Sequence, residues 1–252
     1  MLPISRLKLA TCISFLFIFV VGLGLFGTIR LVTHAASTTS TKSKVAFTCG
    51  SWDVISSPNP GVGNESLYGI AAVSVNDVWA VGNTQNNEVG NPQTLIEHWD
   101  GTSWSAVSSP NPGSNNILYA VTRVPGTNQI WAVGLSYNNN LNQTLIEHWN
   151  GVTWSIVSSP NPGLENELVG MTAVSVNSVW AVGDYLPNSS NYHQTLIEHW
   201  NGTSWRVVPS PSVGTSFNYL TGVTRVPGTK QVWAVGYYNA GSYTQTLIEF
   251  YC

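Results

Sequence analysis

Residues 94–104 read TLIEHWDGTSW. An apolar, β-branched and aromatic run, then Asp-Gly, then a second run opening on Thr-Ser-Trp is the pattern of a β-hairpin, since both residues of a tight two-residue turn ask for positive φ. The phrase returns. Its threonine recurs at Thr144, Thr195 and Thr246, with Asn150-Gly151 and Asn201-Gly202 at two of the turns, which is a period of about 50 residues. Each unit repeats the same order: LYGIAAVS, a short turn, DVWAVGN, a polar loop, TLIEHWD, then GTSWSAVSSPNPG. That makes four strands per unit. VWAVG is a short apolar run, as expected of a strand covered on both faces. SSPNPG ends the fourth strand, because proline donates nothing to a ladder. The prolines also exclude a helical repeat, which would show a 3.6-residue period.

Four-stranded units repeated around an axis make a β-propeller. The order of phrases resembles the kelch repeat and the galactose-oxidase-type propeller, with VWAVG in place of that family's inner strand and TLIEHWDGTSW matching its third strand, turn and tryptophan-bearing fourth strand. A single Gly82, Gly183 or Gly236 stands where kelch has two glycines. The resemblance implies the fold of residues 47–252 and no activity. The family's copper oxidase chemistry needs a tyrosine crosslinked to a cysteine, and no free core cysteine exists here to supply it.

Complete first, second and third strands begin near Leu67, Leu118, Leu168 and Leu220, but complete fourth strands follow only the first three. CGSWDVISSPNPG, residues 49–61, is a fourth strand with nothing before it. The expected fold is therefore all-β: a four-bladed propeller of four-stranded antiparallel blades, closed by an N-terminal outer strand that leaves no sheet edge open. A piece of a larger propeller is the rival reading. Aligning EFYC with EHWD and CGSW with GTSW puts Cys252 and Cys49 on the two turn positions of the one hairpin that lacks a peptide connection. A Cys49 to Cys252 disulfide is expected there. It closes a loop of about 200 residues, worth roughly 4 to 5 kcal/mol in the chain-entropy model.

Residues 1–36 form a separate object. Arg6 and Lys8 precede an almost uncharged run from Leu9 to Ile29, which reads as an apolar helix, either a signal peptide cleaved near Ala35 or Ala36 or a membrane anchor. A Ser/Thr-rich linker, 37–46, follows. The repeat domain is thus expected to be extracellular, secreted or tethered, touching a membrane only through its N-terminal segment, and an oxidising compartment suits the disulfide. Only 8% of the 252 residues are charged and the net charge is -3, which excludes strong nucleic-acid binding for want of a basic stripe.

What repeats in every blade is most simply scaffold. His98, His148 and His199 fall on the third strand beside Glu97, Glu147 and Glu198, with Phe250 at the fourth place. They read as packing between blades, so no metal is expected, no cofactor is implied, and no catalytic constellation stands out. Arg123 and Arg225 break the repeat, replacing Ala72 and Ala173 on opposite inner strands, and are candidates for holding an anion. The loops between second and third strands vary most and are rich in Asn, Ser and Tyr. Tyr68, Tyr119 and Tyr219 lie at strand ends beside them, and Tyr137, Tyr185, Tyr192, Tyr237, Tyr238 and Tyr243 are the candidate ligand-binding residues, since tyrosine buries apolar area at low entropy cost. The sequence thus points to a non-enzymatic binding module offering this face to a glycan, peptide or protein. A secreted carbohydrate-active enzyme and a purely structural surface protein are the alternatives.

Overall fold

The computed structural model describes residues 50–85, 90–189 and 192–252, all within the compact unit Lys42–Cys252. The apolar N-terminal segment, the linker and Cys49 lie outside the described residues. Among the described residues the fold is all-β, and no helix is long and apolar enough to cross a membrane.

Among the described residues, fifteen strands form four antiparallel sheets in chain order. The first blade holds β1 (Glu65–Ser74), β2 (Asp77–Thr84), β3 (Gln93–Trp99) and β4 (Trp104–Val107). The second holds β5 (Asn115–Arg123), β6 (Ile130–Asn138), β7 (Leu141–Trp149) and β8 (Trp154–Ile156). The third holds β9 (Glu165–Ser175), β10 (Ser178–Leu186), β11 (Gln194–Trp200) and β12 (Trp205–Val207). The fourth has three strands, β13 (Asn218–Arg225), β14 (Val232–Asn239) and β15 (Thr244–Tyr251). First strands of successive sheets pack on one another, β1 on β5, β5 on β9 and β9 on β13, while the backbones of β4, β8 and β12 run close only to the third strands of their own sheets. The sheets therefore converge at their first strands and splay at their fourth, the wedge arrangement of propeller blades.

The single glycine of VWAVG is required by a bulge. In every blade the first-strand register slips opposite it, leaving Tyr68, Tyr119, Val169 and Thr221 as the extra residues. The slip drives the first-strand carbonyl toward the glycine, so a Cβ on Gly134 would lie 1.8 Å from the Ile117 oxygen, and one on Gly183 1.9 Å from that of Glu167. No side chain fits there.

The turn after the third strand is larger than its Asp-Gly suggested. Trp99 pairs with Trp104 across it, and only the glycines Gly101, Gly151 and Gly202 have positive φ. The loop is four residues long because the Asp100 carboxylate accepts hydrogen bonds from the Thr102 and Ser103 amides at 2.8 and 2.9 Å, an Asx-type turn that needs no second left-handed residue. The two-residue turn with positive φ at both positions occurs instead at Asn139 and Asn140, φ 50° and 64°, between β6 and β7.

The core lies between blades. Trp79, Val81 and Ile96 of the first blade bury against Leu118 and Val121 of the second, and Trp131, Val133 and Ile146 against Leu168 and Met171 of the third. His98, His148 and His199 stack on Trp79, Trp131 and Trp180 at 4.3, 4.2 and 4.1 Å. They are cross-strand partners on one sheet face. The fourth pair is Trp233 with Phe250, at 4.6 Å.

One expectation needs correction. Residues 50–60 form no strand, the fourth sheet lacks a fourth strand, and Trp52 and Val54 are fully exposed. The N-terminal outer strand does not close the ring. Among the described residues, 50–60 add no strand to β15, whose sheet stays three-stranded.

Candidate functional site

Beginnings of first strands and ends of second strands meet on one rim, where the bulges sit. A bulge re-aims the residue it expels, and here Tyr68 and Tyr119 are the expelled residues of neighbouring blades, their rings 5.6 Å apart. The Tyr119 hydroxyl is near enough to Glu167 of the third blade for the two groups to act on each other electrostatically. Glu167 faces Asp184 across β9 and β10. The Asp184 Oδ2 lies 2.7 Å from Nδ1 of His193, whose ring stands 5.2 Å from Tyr219 of the fourth blade. Tyr219 continues to Phe217 at 5.5 Å and to Tyr237 at 5.3 Å. A line of neighbouring groups thus crosses all four blades, with an acid pair and a histidine between two aromatic ends.

The electrostatics follow from burial. Asp184 is buried, and desolvation pushes its pKa up to about 6, opposed by the His193 hydrogen bond and reinforced by the nearby Glu167 charge. Desolvation also raises Glu167, against the lowering effect of the Tyr119 hydroxyl and of His193. Tyr219 is raised by burial first and then by Asp184, Tyr237 and Glu167. The acids share a confined space and favour a cationic neighbour.

Of the six tyrosines expected to bind ligand, this line contains Tyr237 alone. Tyr185 and Tyr238 occupy the same place in the repeat, and each spends its hydroxyl on a cross-strand glutamine, Gln194 at 2.6 Å and Gln245 at 2.7 Å. Tyr137 is half-buried, at the end of β6. Tyr192 and Tyr243 are exposed on loops. Arg123 gives Nη1 to the Val73 carbonyl of the preceding blade at 2.6 Å, and Arg225 is half-buried at the end of β13. Cys252 is exposed beyond β15. Among the described residues no cluster of His, Cys, Asp and Glu has the makings of a metal site.

Glu167, Asp184, His193 and Phe217 were not picked out from the sequence. Their one signal is departure from the repeat: Ser66, Ile117 and Tyr219 stand at the place of Glu167, and Asn83, Leu135 and Tyr237 at that of Asp184.

No family model matches the chain, and no curated protein matches it by sequence. Solved structures do resemble it in fold. A chain described as YCF48 bound to D1 peptide is 16% identical with a TM-score of 0.49, the alignment covering 81% of this chain and 57% of that one. The GH32 beta-fructofuranosidase BmSUC1 of Bombyx mori is 11% identical with a TM-score of 0.39, covering 68% of this chain and 42% of that one. The chain thus spans little more than half the length of the first of these.

Proposed function

We propose that this kelch-like repeat chain is an extracytoplasmic, non-enzymatic binding module, exported or anchored by its N-terminal segment, and that its ligand is a peptide or protein segment carrying a basic side chain. The observation that carries this reading is the line from Tyr68 to Tyr237. Its ends are aromatic and half open to solvent, suited to stacking and cation–π contact. Its centre holds Glu167 and Asp184, with no lysine or arginine among the residues of the line. A cationic side chain laid there relieves the repulsion between the acids, which a neutral ligand does not.

Titration of the full chain calorimetrically with Lys- and Arg-containing peptides, their neutral counterparts and neutral oligosaccharides tests this. Basic peptides should bind, more weakly as salt rises, with at least a tenfold loss in Tyr219→Ala and Glu167→Gln. Equal affinity for a neutral oligosaccharide, undiminished in Glu167→Gln, would refute it. The Asp184 to His193 pair beside Glu167 favours a second reading, a secreted carbohydrate-active enzyme, because a carboxyl held near pKa 6 exchanges a proton readily near neutral pH. Polysaccharide turnover by the full chain, abolished in both Glu167→Gln and Asp184→Asn, would establish it.

A further inference from the structure

The three internal interfaces follow one plan. A leucine on the first strand of each following blade, Leu118, Leu168 or Leu220, is fully buried against the preceding blade. The surfaces that receive them are built from Trp and Val of the second strand and Ile of the third. At the two ends of the array these same surfaces stand open. Leu67 and Ile70 are 44% and 69% exposed on the first blade, and Trp233, Val235 and Ile248 are 42%, 46% and 63% exposed on the fourth. They are the two halves of an interface the chain already makes three times, so each is complementary to the other and neither to itself.

A second observation points to the same occupant. Trp154 and Trp205, on fourth strands, pack edge-on against Trp79 and Trp131 of the preceding blade, each at 5.5 Å. At the corresponding place beside Trp180 there is a cavity of about 290 Å³, lined by Val208, Pro211, Glu249 and Tyr251 as well. The residue that corresponds to Trp154 and Trp205 in the repeat is Trp52, which is 103% exposed in a stretch that joins no sheet. That stretch leads into residues 55–60, of which Ile55, Ser57 and Pro58 line hollows with Ala80, Leu95 and Glu97 of the first blade. It is therefore placed as the outer strand of whatever blade docks there.

We propose that a second copy of this chain docks head to tail, the fourth blade of one on the first blade of the other. Residues 50–55 of the second copy add to the free edge of β15, with Trp52 opposite Tyr251 and seated in the cavity beside Trp180. The edge then ceases to be open, and the apolar patches at both ends are covered. Closed propellers run from about four to eight blades. Two copies of this chain supply eight blades, which lies within that range. A heterologous interface whose rotation closes in this way gives a ring rather than a filament.

Light scattering on the purified full chain after size-exclusion chromatography should give the mass of two chains. Ile70→Arg and Val235→Arg, both at surfaces open in the single chain, should each give the mass of one. Mixing the two variants should restore the two-chain mass, because one lends an intact fourth blade and the other an intact first. Trp52→Ala should weaken association at least tenfold. A one-chain mass for the unaltered protein at micromolar concentration would overturn the proposal. So would a Cys49 to Cys252 bridge mapped within a single chain, which makes the chain's own leading segment the occupant. A two-chain mass indifferent to Val235→Arg would equally overturn it, since that pairs first blades with each other.

Discussion

Glu147 and Glu198 sit at corresponding places in the second and third blades, fully buried, with neither carboxyl oxygen hydrogen-bonded. Burial pushes each pKa up to about 8. At neutral pH the folded chain thus keeps two protons that the unfolded chain has released. Where the folded state binds more protons, stability falls as pH rises. The loss begins above the ordinary carboxyl range and is complete just above pH 8. Between pH 6.5 and 8 each glutamate costs about 2 kcal/mol, at 1.36 kcal/mol per pH unit. The pair therefore costs about 4 kcal/mol, with a smaller share from Glu249, raised to about 7. His148 and His199 stay out of this window, since burial lowers their pKa values. Urea unfolding of the full chain at pH 6.5, 7, 7.5, 8 and 8.5 measures the slope. In Glu147→Gln/Glu198→Gln, whose amides carry no charge at any pH, most of the slope should vanish, so the loss of about 4 kcal/mol between pH 6.5 and 8 should largely disappear. A double variant less stable than the parent at pH 8, with the slope unchanged, would show that both carboxylates are ionised and satisfied, and would refute the reasoning.

Gly134→Ala should destabilise by more than about 3 kcal/mol, since its Cβ would strike the Ile117 carbonyl and the bulge leaves the backbone no retreat. Gly151→Ala, at φ 101° with nothing within 4 Å, should cost only about 1 kcal/mol, so thermal unfolding of the pair separates close approach from backbone conformation. Thr144→Val removes the 2.6 Å hydrogen bond to Ser159 Oγ that pins the Pro-rich segment to its blade. About 1 to 2 kcal/mol of stability should be lost, read as a shift in urea midpoint at unchanged m-value.

Much of this fold is written in single residues of the repeat. TLIEHW and VWAVG carry β-branched and aromatic residues at strand spacing, prolines end the fourth strands, and the recurrence of both phrases determines four blades in chain order. His98, His148 and His199 read as packing between blades, but each stacks on a tryptophan of its own sheet, a matter of cross-strand register. The functional line was not legible. Tyr68 and Tyr119 owe their outward aim to bulges, a matter of register between strands that no local pattern records. Glu167, Asp184 and His193 come from three separate stretches and meet only when β9, β10 and the following loop fold together. Tyr185 and Tyr238 looked free in a polar loop, but pairing across the hairpin gives each a glutamine partner. Local chemistry sufficed for the strands, since propensity and turn preference act within a few residues. Whether residues 50–60 join the last sheet depends on how the blades pack against one another. Packing between sheets acts over residues far apart in the chain, and only the tertiary structure decided it.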